Sequence, residues 1–220
     1  LSQDTIIPVT QSIAQLYDST STSSSSSSSS KKKNKKNNDN NHESDDFCHH
    51  ATSDVNGGIW NHTRSACVTG RTIVMTGLIP VYMAALAGVV HLHPQAQLAE
   101  YILEMNVVAL WKILDAERQG GANKTGTTAT AAFAKDNDVI TKEASNLCLI
   151  LCYLYNFGLV HCSLLYDMVR NLIENFKEID VELLLLILSH CGRALRTDDP
   201  LALKEIVLLV VQKQVDASNK

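Results

Sequence analysis

The sequence lacks the strong positive charge of a nucleic-acid clamp. Its formal net charge is −4, which leaves room only for a local basic face. It is also poor in aromatic residues, at 5%. No strand pair or hairpin signal appears along it. A disulfide framework is missing as well. The six cysteines, Cys48, Cys67, Cys148, Cys152, Cys162 and Cys191, sit mostly inside apolar runs, where free cysteine packs as a small hydrophobe, so a reducing compartment is expected. No basic-then-apolar leader with a small-residue cleavage site opens the chain, and Leu1 in first position leads to the expectation of a piece of a longer protein. Without a secretory signal, the triplets Asn61-His62-Thr63 and Asn123-Lys124-Thr125 are read as chance matches to the glycosylation pattern.

A local absence divides the chain. Residues Ser19–Asp46 contain no hydrophobic side chain, while the whole chain is 45% hydrophobic. This stretch carries Lys31, Lys32, Lys33, Lys35 and Lys36 against four acids and has nothing to bury. The rest of the chain carries a net charge of −5 and nearly all the means of building a core. The lysine run is compatible with RNA contact or a nuclear signal, but a serine-flanked run more often keeps a segment solvated.

Helical periodicity fills the remainder. Residues 4–18 place Ile6, Val9, Ile13, Leu16 and Tyr17 on one face. A weaker helix is expected over 57–68, with Ile59, Trp60, Ala66 and Cys67 turned inward. A long apolar helix is expected over 72–93, ended by His93-Pro94, with Pro94 opening the next helix to about Arg118. Residues 119–137, rich in Gly, Ala and Thr, read as a loop. Further helices follow over 140–157, closed by Gly158, then over 162–176, 180–195 and 201–215, with 196–200 as a turn, Asp199 as N-cap and Pro200 at the first helical position. The helices pair as hairpins about every 40 residues, the repeat length of HEAT-type stacks. The expected fold is therefore all-α, a HEAT-like helical-hairpin solenoid. Its expected organisation is a helix over 1–18, a disordered Ser/Lys/Asn insertion over 19–54, helices over 55–118, a flexible loop over 119–138 and two helical hairpins over 139–220. The uncharged stretch Ile73–Leu92 is long enough to suggest a membrane span. The polar residues, Gly and Pro in or beside it favour a buried helix of a layered protein.

No residue set combines nucleophile, base and orienting group. Gly120-Gly121-Ala122-Asn123-Lys124-Thr125 fails as a phosphate loop, because Asn123 replaces a required glycine and a helix precedes it. Cys48, His49, His50, His62 and Cys67 have metal-ligand chemistry but match no closed zinc spacing. Cys148 and Cys152 share a helix face among leucines, which points to packing. His161-Cys162 and His190-Cys191 are adjacent residues, about 100° apart on a helix, so a direct nucleophile–base bond is not expected and packing or capping is. Arg193, Arg196, Asp198, Asp199 and Lys204 surround an inter-helix turn, on the ridge where solenoids meet partners. Their mixed signs suit a protein partner better than a phosphate backbone. The competing role is local capping and ion pairing.

Two stretches also carry a family resemblance. Asn146–Val160, containing Leu154-Tyr155-Asn156-Phe157-Gly158-Leu159-Val160, is followed by Leu164-Leu165-Tyr166-Asp167. Ile179–Leu188 is followed by Gly192–Glu205, containing Leu195-Arg196-Thr197-Asp198-Asp199-Pro200-Leu201. Together they resemble the nucleolar MIF4G-domain protein family over about 140–206, with weaker matches at Ile13–Tyr17 and Ser65–Val68. The Ser/Lys insertion and residues 119–138 have no counterpart, and Thr197 stands where the family usually has lysine. The resemblance implies a stack like the middle domain of the translation-initiation scaffold, with its first helix and a downstream helical MA3 domain absent from this stretch. It implies a non-enzymatic scaffold of the nucleolus, without cofactor, metal or small-molecule substrate. Its work would be small ribosomal subunit biogenesis and pre-rRNA processing. Its partners would be a DEAD-box RNA helicase of the initiation factor 4A type and pre-ribosomal RNA or particles, with the five turn residues as the contact. The rival expectation is a MIF4G-type adaptor in splicing, mRNA decay or translation initiation.

Overall fold

The computed structural model describes residues 6–8, 10–15, 17–18, 43–69, 77–120 and 131–218, and no strand occurs among them. Helical residues at 6–8, 10–15 and 17–18 form α1. The chain continues with α2 (Glu43–Cys67), α3 (Ile79–Leu92), a 3₁₀ turn (Pro94–Ala96), α4 (Leu98–Gly120), α5 (Ala131–Asn156), α6 (Cys162–Asn175), α7 (Glu178–Asp198) and α8 (Pro200–Ser218). α3, α5 and α7 lie side by side in one layer, and α2 with α4 and α6 with α8 make the other. The layers meet where α4 packs on α5 and α6 on α7. This is the two-layer arrangement of a stacked-hairpin solenoid.

Each helix follows from its sequence period. In α4, Leu98, Ile102, Leu110 and Leu114 recur at multiples of four residues and are buried. α6 is sharply two-sided. Leu165, Met168, Val169, Leu172 and Ile173 point inward, while Asp167, Arg170, Glu174 and Asn175 stay exposed. α5 is different, because Leu147 through Cys152 are all buried, as are Leu154 and Tyr155. A helix with α3 and α7 at its sides and α4 across the layer has no wet face in this part, so its sequence is apolar all round. Each fully buried aliphatic side chain there contributes about 1.5–3 kcal/mol. α1 sits on α3 with almost no space between them. Thr10 Oγ1 donates to the Ala85 carbonyl at 3.5 Å, and a Cβ at Gly88 would lie 2.8 Å from Thr10 Cγ2.

Several boundaries differ from the expectation. Helix α2 begins at Glu43, inside the stretch expected to be disordered to residue 54. No proline or glycine stands between 43 and 56, so the helix runs outward from its anchored half, where Asn56, Trp60, Thr63 and Cys67 are buried. Residues 19–42, with the lysine run, lie outside the described residues. The apolar helix expected from 72 starts at Ile79, and 70–76 lie outside the described residues. At 14 residues it is about 21 Å long, short of the ~30 Å of a bilayer core. No helix among the described residues is long and apolar enough to cross a membrane. Pro94 opens a 3₁₀ turn instead of the next helix, and Gln97, at φ 51°, makes the bend into α4. The expected loop ends by Ala131, where Ala131, Ala132 and Ala134 favour helix more than the preceding Gly and Thr oppose it. The helix expected over 162–176 stops at Asn175, and Phe176 ends it in the left-handed region at φ 49°. Arg196, Thr197 and Asp198 continue α7. Pro200 disfavours helix only at the residue before it, so the break narrows to Asp199.

Candidate partner-binding site

The corner between α7 and α8 is held from beneath by two tyrosines. Tyr155, near the end of α5, donates its hydroxyl to Asp198 Oδ2 at 2.6 Å. The Tyr166 hydroxyl, from α6, lies 3.0 Å from the Leu195 carbonyl and 2.8 Å from the Asp199 carbonyl, sharing one proton between them. Each of those carbonyls also accepts a backbone N–H, Leu195 from Asp199 at 2.9 Å and Asp199 from Leu203 at 3.2 Å. Asp199 Oδ1 accepts the Ala202 N–H at 2.9 Å and caps α8, with Pro200 at its first position. Burial, and then the Asp198 carboxylate, raise the Tyr155 hydroxyl above the ordinary phenol range. Burial and the Asp199 carboxylate do the same for Tyr166. Both hydroxyls therefore stay protonated donors.

The five residues singled out by sequence thus divide into two sets. Asp198 and Asp199 anchor the corner. Arg193, Arg196 and Lys204 are exposed, and none has a side-chain hydrogen bond or ion pair among the described residues. Arg193 and Arg196 stand three apart on α7, on one face. The capping bond puts Asp199 in the N-cap place expected for it. Tyr155 and Tyr166 were not singled out by sequence. The signal available was a hydroxyl inside an apolar run, which must find an acceptor when buried.

A second anchor lies at the opposite end of α7. Arg118, at the end of α4, donates to Asp180 Oδ1 at 2.6 Å and to Asn171 Oδ1 at 3.1 Å. The Asp180 side chain is 0% exposed, and its second oxygen accepts the Lys177 N–H at 3.0 Å as a helix cap. Lys177 Nζ in turn donates to the Arg118 carbonyl at 2.6 Å. This cluster ties the α3–α4 hairpin to α6 and α7 and fixes the stack beneath the corner.

The remaining candidates take structural places. Cys148, Cys152 and Cys191 are buried, and Cys191 Sγ donates to the Cys152 carbonyl at 3.6 Å. His161 caps α6 by accepting the Ser163 N–H at 3.2 Å. Its Nδ1 also lies 3.7 Å from Cys162 Sγ. That contact was not expected, and it arises because His161 is extended and precedes the helix, so the 100° helical separation does not apply. His190 is exposed, edge-on to Tyr153, and its carbonyl accepts from Asn156. His62 sits against Tyr82 and Cys67 is buried. The side chains of Cys48, His49 and His50 lie outside the described residues, as does Gly121–Thr125. No group of three potential ligands placed to hold a metal ion occurs among the described residues. Thr63, the third residue of the Asn61 triplet, is 1% exposed and donates to the Ile59 carbonyl.

Comparison with known proteins supplies the family. The MIF4G domain profile matches residues 73–217. The chain is 30% identical over 172 residues to mouse nucleolar MIF4G domain-containing protein 1, covering 78% of this chain and 17% of that protein. It is 44% identical over 78 residues to the human protein of that name, covering 36% and 9%. Over 66 residues it is 48% identical to suppressor of glycerol defect protein 1 of Schizosaccharomyces pombe, covering 30% and 8%. The chain spans less than a fifth of the length of these curated relatives. No solved structure matches it. With the profile running from the start of the α3 region to the end of α8 over a two-layer helical stack, the chain belongs to the MIF4G domain family, as a relative of the nucleolar MIF4G domain-containing proteins.

Proposed function

We propose that the chain is a non-enzymatic scaffold of the nucleolus that binds and stimulates a DEAD-box RNA helicase of the initiation factor 4A type, in small ribosomal subunit biogenesis and pre-rRNA processing. The observation that carries this reading is the MIF4G match over residues 73–217. The nucleolar relatives named above support the location. The net charge of −4 favours a protein partner over a phosphate backbone, with pre-ribosomal RNA reached directly or through the helicase. Arg193 and Arg196, with Lys204 beyond the corner, offer cations to acidic side chains of that partner, while Tyr155 and Tyr166 hold the corner rigid beneath them.

The mechanism is a population shift. A helicase has two lobes, and a stiff stack that contacts both favours the arrangement in which they are productively spaced. The test is a pull-down with such a helicase, together with its ATPase rate with and without the chain. Binding with a raised rate is expected. Absence of binding, or binding with an unchanged rate, would overturn the reading.

A further inference from the structure

The end of α5 sends its last apolar residues in different directions. Gly158, at φ 74°, closes the helix. Its N–H bonds the Tyr155 carbonyl and the Leu159 N–H bonds the Leu154 carbonyl, both at 2.9 Å. That turn folds Leu159 back onto the core and leaves Phe157 outside, 41% exposed. A lone exposed hydrophobic residue needs no explanation, but this ring is not alone. It stacks on Tyr153 with 6.4 Å between ring centroids, and Tyr153 meets the His190 ring of α7 edge-on at 5.8 Å. The Asn156 amide donates to the His190 carbonyl at 3.2 Å and ties the two helices together at this point. α5 and α7 run in the same direction, since Cys152 lies beside Cys191 and Tyr155 reaches Asp198. Arg193 is therefore one turn past His190, level with the end of α5, and Arg196 follows it. His190 and both arginines are exposed.

We propose that this aromatic trio is the apolar anchor of the partner-binding corner. Phe157, held by Tyr153 and His190, takes an apolar side chain of the helicase, while Arg193 and Arg196 take the carboxylates that flank it. The proposal rests on the helicase reading and adds the surface of α5 to it. Aromatic residues and arginine are enriched at protein interfaces, where a few of them carry most of the binding energy. The stack, the edge contact and the Asn156 bond already hold the rings, so little conformational freedom is lost on binding. The same residue types also stack on the bases of single-stranded RNA. Here the net charge of −4 opposes a phosphate backbone, and Phe157 already occupies a face of the Tyr153 ring.

The test is a titration of the helicase with the 220-residue chain and its variants, with circular dichroism as the control on folding. Phe157→Ser should weaken binding by about tenfold or more with helicity unchanged, and Phe157→Tyr, which keeps the ring, should bind as the wild type does. His190→Ala removes the edge contact without touching the core and should weaken binding by several-fold. It decides the matter if Phe157→Ser does not fold. Val108→Ser, at an equally exposed apolar position on α4 in the other layer, should leave binding unchanged. A wild-type chain that does not bind overturns this proposal together with the helicase reading. A wild type that binds, with Phe157→Ser and His190→Ala binding as tightly, overturns the anchor alone. So does an equal loss from Val108→Ser, which would show unspecific adhesion of apolar surface. Binding of single-stranded RNA that Phe157→Ser abolishes would overturn it too, because the trio would then be a platform for bases.

Discussion

Replacing Arg118 by methionine removes one half of a buried ion pair and leaves the other half in place. Asp180 is then a fully buried carboxylate whose remaining partner is the Lys177 N–H at 3.0 Å. Breaking a buried pair in this way costs about 3–5 kcal/mol, because the surviving charge has lost its water without keeping its counter-charge. The guanidinium also lies over Trp111, 5.7 Å from the ring centroid, which adds about 0.5–1 kcal/mol. The Arg118 Nε proton is buried without a partner among the described residues, and its removal offsets part of the loss. Methionine keeps the length and apolar contact of the stem, so the change reads charge and not volume. Urea unfolding followed at the helical band should show a loss of about 3–5 kcal/mol with an unchanged slope, a large share of the 5–15 kcal/mol typical of a domain. Arg118→Met with Asp180→Leu should recover part of this, though not the share due to the lost cap on α7. A loss below about 1 kcal/mol for Arg118→Met would refute the clamp as the tie between hairpins.

Other outcomes follow from the same contacts. Asp199→Ala should cost about 1 kcal/mol and fray the start of α8, seen as faster amide exchange there; unchanged exchange would remove its capping role. Burial pushes the Tyr17 hydroxyl up to about 12 and the Cys67 thiol up to about 11. Tyr82, Tyr153, Tyr155 and Tyr166 are raised too. The unfolded chain releases these protons first, so stability should hold up to about pH 8, fall from about pH 9, and be lost as pH passes 11 to 12; a melting temperature unchanged up to pH 11 would contradict this. Among the five described cysteines, Cys162 alone is half-buried rather than buried, so a thiol reagent should label it in the native state well before Cys67, Cys148, Cys152 and Cys191. Equal labelling of all five would show that the core is not closed around them.

What the sequence made legible was the pattern that repeats. The three- and four-residue spacing in α4 and α6, the all-apolar middle of α5, and the glycine stop at Gly158, φ 74°, are local, and one strand of text holds them. The Asp199–Pro200 break is legible for the same reason, since cap and proline are neighbours. The Arg118–Asp180 pair is separated by 62 residues, and Tyr155 and Asp198 by 43. Residue type says that such groups need partners and does not say which. Boundaries are illegible where two local preferences compete, as with the alanines from Ala131 against the glycine and threonine before them. The contact between His161 and Cys162 lies one residue outside the helix, where helical spacing does not hold. At the site, the sequence grouped five residues by nearness to a turn. Hydrogen bonding separates the two that build the corner from the three cations that face outward.

The proposal that Arg193 and Arg196 present the stack to a helicase is tested most directly by one titration. The helicase would be titrated with the wild-type chain and with Arg193→Glu/Arg196→Glu, following binding and ATPase rate together, with circular dichroism and melting as controls. Both arginines are exposed and without side-chain partners among the described residues, so the double variant should fold and melt as the wild type does. Binding should weaken by about tenfold or more, and stimulation should fall with it. A double variant that folds normally, binds as tightly and stimulates as strongly as the wild type would contradict the account.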